Sequence, residues 1–376
     1  MINRAFIEVI YEELKNDNKI VVLFGPRQVG KTTLAYDLLS KFEEKKVLIN
    51  GDELKYHELF SSRNLQRMEE VINDAKILFI DEAQNFPEIG LNLKILFDQR
   101  KDLKILVTGS SSLDLASKIK EPLTGRTSTF TLYPIALKEL NSELSIFEIK
   151  QNLSNYLTYG LYPEVLNTTN LVKKVKRLNE LVSAYLYKDV LQLSNIKSSD
   201  KIIKLLKLLA YQVGNIVSIH EIAKTLGLSS ETVNHYIDLL EKSFVVFRLS
   251  GYSNNLRKEV SKMDKIYFYD VGVRNMLIDN FSDIQLRNDK GAIFENFILM
   301  ERIKKNAYEN KILKYYFWRT YGGAEIDLVE FKNEQLDGFE FKYQQKTTKP
   351  PKSWTENYPN ATFKCINLDN FTDFII

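Results

Sequence analysis

Cysteine is almost absent: Cys365 is the only one among 376 residues. An intramolecular disulfide is therefore excluded, a reducing compartment suits the chain, and the thiol reads as a small buried hydrophobe. Histidine is nearly as scarce. His57, His220 and His235 are the full set, so a histidine-rich metal centre is not expected. Long apolar runs are missing too. Stretches such as Lys76-Ile-Leu-Phe-Ile80 are short and bounded by charge, so no membrane contact is expected. The opening Met1-Ile-Asn-Arg-Ala-Phe6 has no signal-peptide pattern and acidic residues soon after it, which fits a cytoplasmic chain. Internal repeats and low-complexity tracts are absent. So is an excess of one charge: a net +3 neither demands nor excludes nucleic acid, because a basic face can hide in a balanced total. What is present is a hydrophobic content of 44%, enough for real cores. The length allows roughly two to four domains.

The most specific feature is Gly25-Pro-Arg-Gln-Val-Gly-Lys-Thr32, which fits G-x-x-x-x-G-K-[ST]. It follows the apolar run Ile20–Phe24 and precedes a helix-like run, Thr33–Leu39, the strand–loop–helix setting such a motif needs. Glycines let the backbone turn tightly and approach phosphate oxygens. Loop N–H groups and the helix N-terminus then face an anion. Lys31 would reach the β- and γ-phosphates and Thr32 would place its hydroxyl on Mg²⁺. The nucleotide contacts expected here are Gly25, Pro26, Arg27, Gln28, Val29, Gly30, Lys31, Thr32 and Thr33. The competing reading is a glycine-rich turn with a chance lysine.

From this loop to about Pro134, short apolar runs alternate with helical patterns: Val47–Asn50, Ile77–Ile80, Leu103–Val107 and Thr127–Leu132. That alternation predicts a parallel sheet covered by helices, with ligands beyond the carboxyl ends of the strands. Asp81 and Glu82 close one run. Asp81 could hold the Mg²⁺ shell and Glu82 could polarise an attacking water; Asp81 could equally be a helix N-cap. Thr108-Gly-Ser110 closes another, where Thr108 could contact the γ-phosphate or Ser111 and Ser112 could simply begin a capping turn. Arg126, in Leu123-Thr-Gly-Arg126, could stabilise transition-state charge in cis or from a neighbouring subunit, or be an ordinary ion pair.

The stretches GPRQVGKTT, LFIDEAQ, TGSSS and LTGR…LYPIALKEL, with Gly160-Leu-Tyr-Pro-Glu164, resemble the AAA-type ATPases of bacteria and archaea that carry a C-terminal domain of unknown function. The resemblance covers essentially the whole chain. It implies ATP and Mg²⁺ as ligands, an extra strand between the two Walker strands, and a homo-oligomer as an open possibility.

Between about Ile135 and Leu206 the pattern becomes helical. Leu178, Leu181, Val182, Tyr185 and Leu186 recur near helical spacing, and Lys173, Lys174, Lys176 and Arg177 form either a solvated face or a phosphate contact. Ile219–Gly227, Ser229 with Thr232–Leu240, and Phe244–Leu249 read as helix, turn, helix and strand, a helix-turn-helix with a wing. Its second helix would offer Ser230, Thr232, Asn234, His235 and Tyr236. It is poor in lysine and arginine, and Glu231 and Asp238 are acidic, so packing or protein contact competes with DNA reading.

Toward the C-terminus a helix over Gly291–Met300 carries Glu295 amid apolar residues. The runs Tyr315–Arg319, Gly322–Phe331 and Gly338–Tyr343 read as strands. Alternation puts Glu340 and Lys342 on one face. With Asp327 on a neighbouring strand, hard oxygen ligands and an ammonium would converge as a Mg²⁺-type site able to generate hydroxide. Lys342 would then position the nucleophile or neutralise developing charge. The ordered set Glu295, Gly323-Ala-Glu-Ile-Asp327 and Glu340-Phe-Lys342 resembles the PD-(D/E)XK nuclease fold, without the proline before Asp327. A charged amphipathic sheet is the plain alternative.

The expected architecture is α/β. A parallel-sheet ATPase core spans 1–134, a helical connector 135–205, a winged helix 206–285 and a nuclease-like α/β domain 286–376. The expected function is Mg²⁺-dependent ATP hydrolysis coupled to DNA binding or cleavage. The alternative is an ATP-dependent switch that uses the same domains for protein–protein contacts.

Overall fold

The computed structural model describes residues 2–109, 123–184, 199–253, 263–344 and 346–376. Ser110–Ser112, Tyr185 and Leu186 lie outside the described residues.

Five short strands build the first sheet: β1 (Ile20–Phe24), β2 (Lys46–Asn50), β3 (Ile77–Asp81), β4 (Lys104–Gly109) and β5 (Thr127–Thr131). They pair in parallel in the order β2-β3-β4-β1-β5. β4 therefore lies between β1 and β3, as the extra strand was expected to. Every residue of β1 and β3 is buried, because apolar cores cover both faces. Val21 and Leu23 pack with Ile10, Leu14, Leu34 and Leu38 of helices Ile7–Asn16 and Lys31–Ser40. Ile20, Val22 and Phe24 face Met68, Ile72, Leu93 and Leu96 of helices Leu65–Ile72 and Ile89–Gln99.

Helices Ile146–Gln151, Leu153–Tyr159 and Leu171–Ala184 follow. The Gly160-Leu-Tyr-Pro stretch has a structural reason. Gly160 adopts φ +73°, and a Cβ there would sit 2.0 Å from Asp270 Oδ1. That close approach lets Asp270 accept from Leu161 N at 2.7 Å and Gly272 N at 2.8 Å, tying the connector to the helix Val271–Leu277. On Leu171–Ala184, Lys173, Lys176 and Arg177 are exposed. Arg177 pairs with Glu164 and Glu180, and Lys174 lies over the Tyr159 ring.

Helix Ser199–Tyr211 leads into Ile219–Leu226, which ends on Gly227 at φ +61°, and then into Ser230–Lys242, capped by Ser229. Tyr236 is buried with Val233, Ile237 and Leu240, so it packs inward rather than joining the exposed Asn234 and His235. The hairpin strands β7 (Val246–Ser250) and β8 (Asp264–Phe268), with the short β6 (Ile216–Val217), form a sheet ordered β6-β8-β7.

The C-terminal unit starts with the helix Lys290–Tyr308 and continues through β9 (Lys314–Arg319), β10 (Glu325–Lys332) and β11 (Gln335–Phe341). Helix Lys352–Asn357 and β12 (Thr362–Ile366) complete it. The sheet runs β12-β11-β10-β9, antiparallel except for β11 with β12. The preceding hairpin docks on its edge: Gly251 bridges Phe317, and Tyr252 N donates to Phe317 O at 2.7 Å.

Candidate active site

The loop after β1 is shaped by two glycines. Gly25 has φ +148°, and a Cβ there would lie 2.1 Å from the carbonyl oxygen of Leu132. Gly30, at φ +93°, caps the helix Lys31–Ser40. Pro26 and Val29 are buried, Arg27 is half-buried, and Gln28 and Thr33 are exposed. Lys31 is only 5% exposed, and its ammonium donates to Gly25 O at 2.9 Å and Pro26 O at 2.7 Å. It is thus held at the loop mouth, where phosphate oxygens can replace those carbonyls as acceptors.

Parallel pairing brings the ends of β1, β3 and β4 together. Thr32 Oγ1 donates to Asp81 Oδ2 at 2.9 Å, and Thr108 Oγ1 donates to Asp81 Oδ1. Thr108 also accepts from Glu82 N at 3.2 Å. Thr108 is fully buried, and its hydroxyl bonds to both members of the acidic pair. Glu82 sits in the left-handed region at φ +49°, and its carboxylate accepts from Gln84 Nε2. The Thr32 hydroxyl and the Asp81 carboxylate are hard oxygen donors beside a helix N-terminus, and they fit Mg²⁺ held with nucleotide phosphates.

Arg126 is elsewhere. Its backbone oxygen accepts from Ile20 N at the start of β1, whereas the loop begins at the far end of that strand. At about 3.3 Å per residue the two ends are roughly 15 Å apart. The guanidinium donates to both Asp98 oxygens, at 3.0 and 3.3 Å. A contact in cis with the loop Gly25–Thr32 is therefore out of reach.

Arg4, which no sequence motif marked, touches the loop directly. It donates from Nη1 to Val29 O at 2.8 Å and from Nη2 to Tyr133 O at 2.6 Å and Tyr308 Oη at 3.5 Å. Its Nε pairs with Glu139 Oε1 at 2.9 Å, with side-chain exposures of only 9% and 0%. Burial works against the charged guanidinium, but Tyr308 and Glu139 outweigh it and raise its pKa. Beside this network lies a cavity of about 230 Å³ bounded by Ile2, Arg4, Gly30, Thr33, Asp37 and Pro163. The helix Lys290–Tyr308 reaches the same segment through Glu301, which accepts from Leu137 N at 2.6 Å, and Lys304, which donates to Ile135 O at 3.1 Å.

The second expected cluster also assembles. Leu328 pairs with Phe339, so Asp327 and Glu340 are opposite each other one step along the β10–β11 register. Asp327 Oδ2 accepts from Phe341 N at 2.9 Å, and Glu340 Oε1 pairs with Lys342 at 2.5 Å. Glu295 approaches from the helix. Burial first, and the Asp327 charge second, push its carboxyl up to about 7. Burial and Asp327 likewise raise Glu340. The unexpected member is Lys265 of β8, whose ammonium lies 2.5 Å from Glu325 Oε1, 3.3 Å from Glu295 Oε1 and 3.6 Å from Asp327 Oδ1. Tyr267 donates to Glu295 Oε1 at 2.6 Å. Among the described residues, no group of three or more His, Cys, Asp or Glu side chains is placed to hold a metal ion. With Lys265 seated among the carboxylates, Asp327 and Glu340 do not fit a divalent cation.

Residues 17–141 match the family model of an AAA domain. This segment is thus similar to AAA domains. Two further models, both of domains of unknown function, match residues 150–284 and 290–366. An uncharacterized protein of Mycobacterium tuberculosis is 28% identical over 326 residues, covering 86% of this chain and 70% of the relative. One of Methanocaldococcus jannaschii is 26% identical over 341 residues, covering 85% and 74%. Among solved structures, the Walker-type ATPase of Pyrococcus abyssi superposes with a TM-score of 0.50 at 18% identity, covering 74% of this chain and 96% of that one. At that identity the likeness is one of fold. Among the described residues no helix is long and apolar enough to cross a membrane.

The residues that motif reading missed are of two kinds. Gln84 stands two positions after Glu82, in the quoted stretch, yet reads there as an ordinary polar residue. Arg4, Lys265 and Tyr267 carry no local signal at all, because their partners are brought to them only by packing between distant segments.

Proposed function

We propose that the AAA domain binds and hydrolyses ATP and passes its nucleotide state to a DNA-directed C-terminal half. ATP phosphates would lie on the N–H groups of Gly25–Thr32, with Lys31 released from Gly25 O and Pro26 O onto the β- and γ-oxygens. The cavity beside Gly30 and Thr33 would take the nucleoside. Thr32 and Asp81 would hold Mg²⁺, which when bound neutralises phosphate charge. Glu82, freed from Gln84, would orient and deprotonate the attacking water.

One observation carries the coupling: the Arg4 guanidinium bonds at once to Val29 of the phosphate loop and to Tyr308 of the helix that bears Glu295. A shift of the loop on phosphate binding would thereby reach the C-terminal unit. The winged-helix and nuclease-like readings are supported by the helix–turn–helix–hairpin order and by the meeting of Glu295, Asp327, Glu340 and Lys342. The test is binding of single- and double-stranded DNA by wild type and Lys31→Ala, with ATP, ADP or no nucleotide. DNA affinity that is independent of nucleotide in both proteins would refute the coupling.

A second reading, a switch working through protein–protein contacts, is favoured by the exposed face of helix Ser230–Lys242. There Glu231, Asn234 and His235 are exposed, a poor complement to a phosphate backbone. Absence of DNA binding in every nucleotide state would select it.

A further inference from the structure

Lys265 occupies the middle strand of the β6-β8-β7 sheet, a position where an apolar residue would be expected. Its neighbours Ile266 and Phe268 are 1% and 0% exposed and join the main core. Lys265 is itself 1% exposed, and Tyr267, two residues on, shares its face. Burying an ammonium is costly unless charges and hydrogen bonds compensate it. The carboxylates that compensate it come from the other sheet and the long helix: Glu325 and Asp327 of β10 and Glu295 of Lys290–Tyr308. Glu325 is also held by Arg319 Nη1 at 3.1 Å, which fixes it against β9.

A divalent ion would require these same oxygens. Mg²⁺ or Mn²⁺ binds carboxylate oxygens at roughly 2.0–2.2 Å, inside the volume that the ammonium fills, and the two cations would repel. We infer that Lys265 is the resident cation of the C-terminal carboxylate cluster, excluding divalent ions from it for as long as β8 lies against β10. The hairpin that carries Lys265 is then both a clamp between two units and a plug in the cluster. Withdrawal of β8 vacates the position and leaves Glu295, Asp327 and Glu340 together. The inference rests on the nuclease-like reading only for the chemistry of the vacated cluster.

The test is a Mn²⁺ titration of the nucleotide-free full chain, followed by electron paramagnetic resonance of free Mn²⁺. Wild type, Asp327→Asn, Lys265→Met and Lys265→Met with Asp327→Asn are compared. The expected result is a Mn²⁺ site in Lys265→Met at least about tenfold tighter than any in wild type, and lost again when Asp327→Asn is added. Should Lys265→Met not fold, Lys265→Met with Glu325→Gln replaces it, because it removes the carboxylate nearest the lost ammonium while keeping Glu295, Asp327 and Glu340. Wild-type Mn²⁺ binding that Asp327→Asn abolishes would overturn the inference and leave the metal-type reading of the cluster standing. A folded Lys265 variant with no new site would overturn both.

Discussion

Replacing Arg4 by methionine tests the proposed link between the loop Gly25–Thr32 and the C-terminal helix. The substitution keeps an apolar stem but deletes the guanidinium that serves Glu139, Val29 O, Tyr133 O and Tyr308. Glu139 is fully buried and, among the described residues, would retain only the N–H groups of Ala5 and Ala136 as donors. Removing one partner of a buried ion pair costs about 3–5 kcal/mol, most of it from the charge left behind. Arg4→Met should therefore be destabilised by about that amount in urea unfolding followed by near-ultraviolet circular dichroism. Arg4→Met combined with Glu139→Gln removes both charges and should recover to within about 1–2 kcal/mol of wild type, a coupling of at least about 2 kcal/mol. Hydrogen exchange supplies the functional half. ATP should protect amides of Lys290–Tyr308 in wild type, and this effect should vanish in the double variant while ATP still binds. Additive losses in the two single variants, or protection that survives the double substitution, would refute the reasoning.

Further predictions follow from the same geometry. Gly25→Ala places a Cβ 2.1 Å from Leu132 O at φ +148°; overpacking of this kind costs about 1–3 kcal/mol, so ATP affinity by calorimetry should fall at least about fivefold. Glu82→Gln should retain ATP binding but lose hydrolysis by about a hundredfold or more. Because Arg126 cannot reach its own loop, Arg126→Ala mixed with Glu82→Gln should regain ATPase activity that neither has alone; no recovery on mixing would refute action in trans. Burial alone would raise Asp289, but hydrogen bonds from Arg287 and Arg274 outweigh it and hold its carboxyl down at about 2. A depressed folded pKa stabilises above the ordinary carboxylate range, and that stability is lost as the pH falls from about 4 to 2. Asp289→Asn should thus be less stable by about 1–2 kcal/mol at neutral pH and show a flatter acid limb.

Much of this protein can be read along the chain. The apolar runs ending at Phe24, Ile80 and Val107 became parallel strands, and their polar termini meet at one edge, because parallel strands put every carboxyl end on the same side. The C-terminal strands also lie where alternation places them, and Glu340 faces Asp327 across the register. Thr108 shows the limit. Its position after β4 was legible, but its hydroxyl serves Asp81 and Glu82, a choice made by packing. Tyr236 has helical spacing compatible with either face, and the core selected the inner one.

By itself the sequence determined the strand–loop–helix around Gly25–Thr32, the acidic pair after β3 and the order of the elements. Each of these is written in residues adjacent in the chain, where backbone geometry and strand or helix period bring side chains together without outside help. Only the tertiary structure decided that Arg126 faces away from its own loop, that Arg4 ties Val29 to Tyr308, and that Lys265 fills the cluster of Glu295, Glu325 and Asp327. Those outcomes depend on groups 25 or more positions apart meeting in one place, and around Arg4 and Lys265 they meet in the interior. Burial without a partner is so costly that the fold must supply one, and no local pattern records which one it supplies.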